Sequence, residues 1–226
     1  MAVRSASLPL GHVAAVPARI RSLASAGRSW TGPGRLPASQ FDARSHALLV
    51  GEGIVAVSNV RRSGRVVTVA LLGPGDGWTG EPGRGGDPAP AVRVDALCAS
   101  TVAVIPRDAL AGAVTADAAT AAWLAGMHLR RALDAERRFA EAHTLSVDER
   151  LRGALRDLAH ARGTRLPNGS VRLGMRISQE RLAWLAGTTR ESVNRALRSL
   201  TRSGAVSLVG GCYVLAPSSS NDEGAS

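Results

Sequence analysis

Ser178–Leu200, SQERLAWLAGTTRESVNRALRSL, reads as two helices joined by a tight turn. Leu182, Leu185 and Ala186 repeat at helical spacing, which gives a first helix one stripe to bury. Gly187 follows where a glycine C-cap suits a left-handed backbone, and Thr188 and Thr189 are N-cap candidates for the next helix. That second helix has an apolar stripe at i, i+3, i+4, i+7: Val193, Ala196, Leu197 and Leu200. At about 100° per residue, Arg190, Glu191, Asn194, Arg195, Arg198 and Arg202 share the opposite arc. An arginine can bond guanine O6 and N7 together, and a glutamate can accept from cytosine N4. A recognition helix reads bases mainly through its N-terminal residues, so Arg190, Glu191 and Arg195 are the candidate base readers, with Asn194 at their flank. Ser178 and Gln179 open the first helix, where backbone amides and short polar groups can hold a phosphate. Arg198 and Arg202 suit phosphate contact or a solvated face. Thr188-x-x-Glu191 is also a capping box, so Glu191 has two readings, base reader and cap.

The residues after the second helix extend the motif. Ala205–Val209 and Cys212–Leu215 are short β-prone runs around Gly210-Gly211, a two-residue hairpin turn. Helix, turn, helix and hairpin make a winged helix, and the expected partner is double-stranded DNA.

With these residues the chain resembles the cyclic-AMP receptor protein / fumarate-nitrate regulator (Crp/Fnr) family. The likeness is strongest in TTRESVNRALRSLTRSGAVSL. It places Arg190, Glu191 and Arg195 on the family's base-reading positions, and Thr189 and Gln179 on phosphate-contacting ones. The resemblance implies a homodimer on a palindromic site with TGTGA-like arms, and an RNA polymerase contact is a further partner it allows. It also implies an α+β architecture: an N-terminal cyclic-nucleotide-binding-like β-roll, a long dimerisation helix and a C-terminal winged helix-turn-helix. Five segments are expected: a poorly ordered arm over 1–27, a degenerate sensor domain over 28–115, a connecting helix over 116–145, the winged helix over 146–217 and a disordered tail over 218–226.

The N-terminal half fits that plan through short β-prone runs with Gly/Pro turns: Leu48–Val50, Ile54–Val60, Arg65–Leu72, and two further strands within Ala91–Ile105. GDGWTGEPG resembles the family's phosphate-binding loop with one extra residue, and Gly80-Glu81 matches its glycine–glutamate pair, in which the glutamate contacts a ribose hydroxyl. The arginine that pairs with the cyclic phosphate is missing, because Pro90 stands there and Arg93 points to the other strand face. A buried phosphate without a cation is poorly compensated. The expectation is a sensor domain that has lost cyclic-nucleotide binding and needs no cofactor. The alternatives are a cyclic-nucleotide-gated regulator, or constitutive DNA binding with the sensor domain as a protein-interaction scaffold.

Composition supports a polyanionic partner. The 226 residues hold 28 basic side chains, all arginine, for a formal net charge of +10. Without lysine a Walker A loop is excluded. Gly75-x-Gly77-x-x-Gly80 is no dinucleotide fingerprint, since Pro82 and Gly83 follow where a helix should begin. Cys98 and Cys212 are too few to ligate an iron–sulfur cluster, the five histidines form no metal-ligand pair, and no nucleophile–base constellation points to an enzyme. Neither a signal peptide nor an apolar membrane span is evident, and a cytoplasmic location is expected.

Between the halves, Ala116 to about His143 is free of proline and rich in helix formers. One face carries Ala118, Ala122, Ala125, Leu129, Leu133 and Ala140; another carries Trp123, Leu124 and Met127. Two apolar stripes suggest contacts on two sides. Ala122, Ala125, Leu129 and Leu133 are the candidate dimer seam, and the other face is expected to pack on the sensor domain. The competing reading makes both faces intradomain core. Ser146-x-x-Glu149 is a capping box for a further helix, which makes His143–Ser146 the expected hinge.

Overall fold

The computed structural model describes residues 16–80 and 91–217. The chain divides into two compact units, residues 1–138 and 139–226.

The first unit begins with α1 (Ala18–Ala26), followed by β1 (Arg28–Arg35), β2 (His46–Glu52), β3 (Val55–Val60), β4 (Val66–Leu72), β5 (Gly77–Trp78) and β6 (Ala91–Pro106). All strand pairs are antiparallel. The sheet runs β4-β3-β6-β2-β5, and β1 lies along the other edge of β6, so the 16-residue β6 carries three partners and the sheet curls around it. Trp30, Leu48, Val50, Val55, Val57, Val102 and Val104 fill the inside of the curl with Phe41 and Trp78. The alternate residues Ala47, Leu49, Ala103 and Ile105 point outward, where α1 and α2 (Arg107–Ala116) cover them with Ile20, Ala24, Leu110 and Ala113. Gly53 turns β2 into β3 directly against β6: a Cβ there would collide with Ser100 and with the Ala99 carbonyl, 2.6 Å away.

Three expectations need correction here. Residues 16–27 are no loose arm, because Ile20 and Ala24 of α1 are buried on one face and Val16, just before the helix, is buried with them. Residues 1–15 lie outside the described residues. Ala91–Ile105 is one strand rather than two, since no Gly or Pro interrupts Cys98-Ala99-Ser100 and irregularities in its partners absorb the mismatch at Gly32/Gly34 and Val50/Glu52. The connecting helix, α3 (Ala118–Thr144), begins two residues later than expected. Asp117 leaves the helical region (φ −148°, ψ 113°) and its carboxylate caps α3 by accepting from the backbone N–H groups of Ala119 and Thr120 and from the Thr120 hydroxyl.

The second unit contains α4 (Val147–Arg162), the short hairpin β7 (Gly163–Arg165) and β8 (Val171–Leu173), α5 (Gln179–Leu185), α6 (Arg190–Arg202), β9 (Val206–Val209) and β10 (Cys212–Leu215). The sheet order is β7-β8-β10-β9. Ser146 and Glu149 form the expected reciprocal capping box at the start of α4. Leu151, Leu155 and Leu158 of α4, Leu182 of α5 and Val193, Ala196 and Leu200 of α6 are almost fully buried and make one three-helix core.

Candidate nucleic-acid interface

The turn between α5 and α6 fixes the angle at which the second helix is presented. Ala186 closes α5, Gly187 adopts φ +61°, and the Thr188 N–H donates to the Ala183 carbonyl at 2.9 Å, a six-to-one closure that only a left-handed residue permits. Ser178 caps α5 by accepting from the Arg181 N–H at 3.2 Å. Thr189, rather than Thr188, caps α6: its hydroxyl accepts from the Ser192 N–H at 3.2 Å. The Thr188–Glu191 capping box is therefore not formed.

That shift leaves Glu191 exposed at the helix start. Its carboxyl is held below the ordinary range, first by its own backbone N–H and then by the Thr189 hydroxyl, with Arg190 beside it. A depressed carboxyl stays ionised as the pH falls, so an acceptor is present throughout the neutral range. Arg190, Arg195 and Arg198 are exposed, Asn194 and Gln179 are half-buried, and Ser178 and Thr189 are exposed. Val193, Ala196, Leu197 and Leu200 are buried beneath them. The partition of α6 into a basic outer face and an apolar inner face follows the sequence pattern residue by residue. Beside it the β9–β10 hairpin turns at Gly210-Gly211, with Arg172 and Arg176 packed against that turn and Leu208 and Val209 exposed.

Sequence reasoning missed Arg150. From α4 it donates to the Ala186 carbonyl at the α5–α6 turn (3.2 Å) and to the Leu145 carbonyl before α4 (2.8 Å), and reaches Ala142 at 3.5 Å. Its acceptors are all backbone groups, which carry no signature in the sequence. The guanidinium ties the end of α3 to the turn that orients α6. Arg150→Met is expected to lower stability by about 1–2 kcal/mol and to weaken DNA binding in the same variant. Thermal denaturation and a binding titration check this, and an unchanged midpoint would show that the three carbonyls are satisfied without it.

In the first unit, Gly80 is buried, and a Cβ at that position would lie 2.7 Å from Arg107 Nη2. Arg107 Nε is buried with no hydrogen-bond partner among the described residues. Thr79 Oγ1 is 3.2 Å from His128 Nε2, and burial, then Arg131 and Arg107, keep that imidazole below its usual pKa. Arg131 also stacks over Trp78 at 5.7 Å. Arg93 is engaged by the buried Asp95 (Nε–Oδ2 2.5 Å), so it is a structural pair. Glu81 and Pro90, central to the expected ligand loop, lie outside the described residues. On α3, Met127 is buried and Trp123 and Leu124 are half-buried, whereas Ala122 and Ala125 are exposed and Leu129 and Leu133 are 61% and 55% exposed. Among the described residues no group of His, Cys, Asp or Glu could hold a metal ion, and no helix is long and apolar enough to cross a membrane.

Comparison with known proteins gives the class. Residues 149–218 match the family described as the Crp-like helix-turn-helix domain. The chain resembles the c-di-GMP-responsive global regulator CLP of Xanthomonas campestris (22% identity over 88% of this chain and 99% of that one, TM-score 0.69). It also resembles FixK2 of Bradyrhizobium japonicum (22%, 84% and 91%, TM-score 0.64) and the CRP/FNR-family regulator TTHA1359 of Thermus thermophilus (22%, 84% and 89%, TM-score 0.60). No curated protein matches. Residues 149–218 are thus a Crp-like helix-turn-helix domain, and the chain shares the fold of these solved regulators.

Proposed function

We propose that this regulator acts as a homodimer that reads a palindromic site, with Arg190, Glu191 and Arg195 on base edges. Ser178, Gln179, Thr189, Asn194 and Arg198 hold the flanking backbone. The observation that carries this reading is the exposed arc of α6, four arginines and an ionised glutamate over a buried stripe. Recognition helices roughly 34–36 Å apart in a dimer enter successive major grooves. The exposed Ala122, Ala125, Leu129 and Leu133 of α3 supply the seam, since two such leucines in one row are apolar area that a second copy would cover. Selection of bound DNA from a random pool, without ligand and at near-physiological salt, is expected to return a palindrome with TGTGA-like arms. Absence of enrichment would count against an effector-independent base reader.

Binding without an effector follows from a sensor domain that has lost cyclic nucleotides, supported by Pro90 in place of the phosphate-pairing arginine. One observation favours a second reading. Arg107, at the start of α2, brings a guanidinium with an unsatisfied Nε against Gly80, and so offers a counter-ion for an anionic effector from another element. Such an effector regulates only if it binds the two states of the dimer unequally. Calorimetric titration with cyclic AMP and cyclic GMP separates the readings: saturable heat that Arg107→Gln abolishes supports the second, and flat titrations support the first.

A further inference from the structure

A cleft of about 780 Å³ opens in the DNA-binding domain between α4, β7, the segment after α6 and the end of β10. None of the candidate base readers lines it. Its guanidiniums are Arg152 and Arg156, one stripe of α4 at i and i+4, and Arg165 of β7, with His160 a further turn along α4. No aspartate or glutamate is among the lining residues. Like charges at i, i+4 repel, and Arg152 Nε is buried with no hydrogen-bond partner among the described residues. Glu149, three residues before Arg152 in α4, feels its charge, but the Glu149 carboxylate hydrogen-bonds the Ser146 cap and leaves Arg152 Nε unmet. Convergent guanidiniums with an unmet donor are the chemistry that an oxyanion of several charges satisfies, most directly by two-pronged Arg–phosphate pairing.

The lining also has an apolar part: Ala159 of α4, Val171 of β8, and Leu215, Ala216 and Pro217 at the end of β10. An inorganic ion has no use for such a surface, whereas a molecule with a ring at one end and phosphates at the other matches both parts. The volume lies in the range of small-molecule sites, roughly 300–1,000 Å³. We propose that this cleft binds a small phosphate-bearing organic anion of the nucleotide class, with its phosphates on Arg152, Arg156 and Arg165 and its ring on Val171, Leu215 and Pro217. This site is separate from the sensor domain and from the exposed face of α6, and does not depend on how either is read.

The probe is ATP, without divalent cation, titrated calorimetrically into the full chain at near-physiological salt, with inorganic phosphate as the second probe. ATP is expected to bind saturably and at least tenfold more tightly than phosphate. Arg152→Gln combined with Arg165→Gln should weaken ATP at least tenfold, while affinity for the selected DNA changes less than twofold. Arg165→Gln alone, at an exposed position, should weaken ATP several-fold and keeps the test decisive if the double variant does not fold. Arg62→Gln, in the exposed β3–β4 turn, controls for net charge and should leave ATP binding unchanged. The proposal is overturned by the absence of saturable ATP heat, or by ATP affinity that ignores the Arg165 substitution. It is overturned equally if the double variant loses affinity for all DNA sequences alike, which would make these arginines backbone contacts.

Discussion

Combining Leu129→Glu with Leu133→Glu is expected to leave a single 23.3 kDa species in sedimentation where the parent chain is expected to run as a dimer, and to weaken binding to a palindromic site by two orders of magnitude or more. Both side chains project from α3 with more than half their surface in water, one turn apart, while Met127 on the other flank is buried. Fully covering a leucine contributes about 1.5–3 kcal/mol, and a symmetric seam covers each of the pair twice. Carboxylates there would face each other across a low-dielectric contact and keep the helices apart. Because the positions are exposed within one copy, the variants should keep the thermal stability of the isolated fold, which separates lost assembly from misfolding. A double variant that still sediments as a dimer would rule this row out as the seam.

Arg190→Ala is expected to cost roughly 1–3 kcal/mol, or about 10- to 100-fold, on the selected site, and to relax preference at one position of each half-site. The reason is local. Arg190 is the first helical residue after the Thr189 cap, and it is the N-terminal residues of a recognition helix that contact base edges. Its neighbour Glu191 is ionised and cannot substitute for a donor. A repeat of the random-pool selection with the variant shows the difference directly. Equal weakening on every sequence would instead make Arg190 a phosphate contact and remove the main support for base reading.

The DNA-binding domain was legible because its signals are local and agree with one another. Polar and apolar residues of α6 separate at a period of 3.6, Gly187 marks the left-handed turn between α5 and α6, and Gly210-Gly211 marks the wing. Of the two adjacent threonines that could cap α6, Thr189 does so, and the Thr188–Glu191 capping box does not form. The sensor unit was harder to read. β1, RSWTGPGR, carries Pro33 between two glycines and looks like a loop, yet it pairs along β6 because an irregularity at Gly32/Gly34 accommodates the proline and buries Trp30. α1 hid in an Ala/Ser/Arg composition whose two buried residues, Ile20 and Ala24, mean little until the outer sheet face is known. Arg107 and Arg150 could not be found by pattern, since Gly80 reaches Arg107 from a distant segment and Arg150 bonds only backbone carbonyls, which carry no sequence signature.

The two-sided burial of β2 has a consequence for how the sheet finds its alignment. In a half-exposed strand, slipping by one residue drives polar groups inward and is rejected at once. In β2 every residue from Ala47 to Gly51 is buried, so a slipped strand would still offer hydrophobic side chains to both layers. Pairing must be enforced by shape instead. Gly53 is the one residue that can pass over Ser100, and a frame-shift would bring Glu52 or Ile54 to that crossing. Alignment of the strand that underlies the whole curled sheet is thus set by a single point of steric exclusion at its end rather than by the pattern along its length.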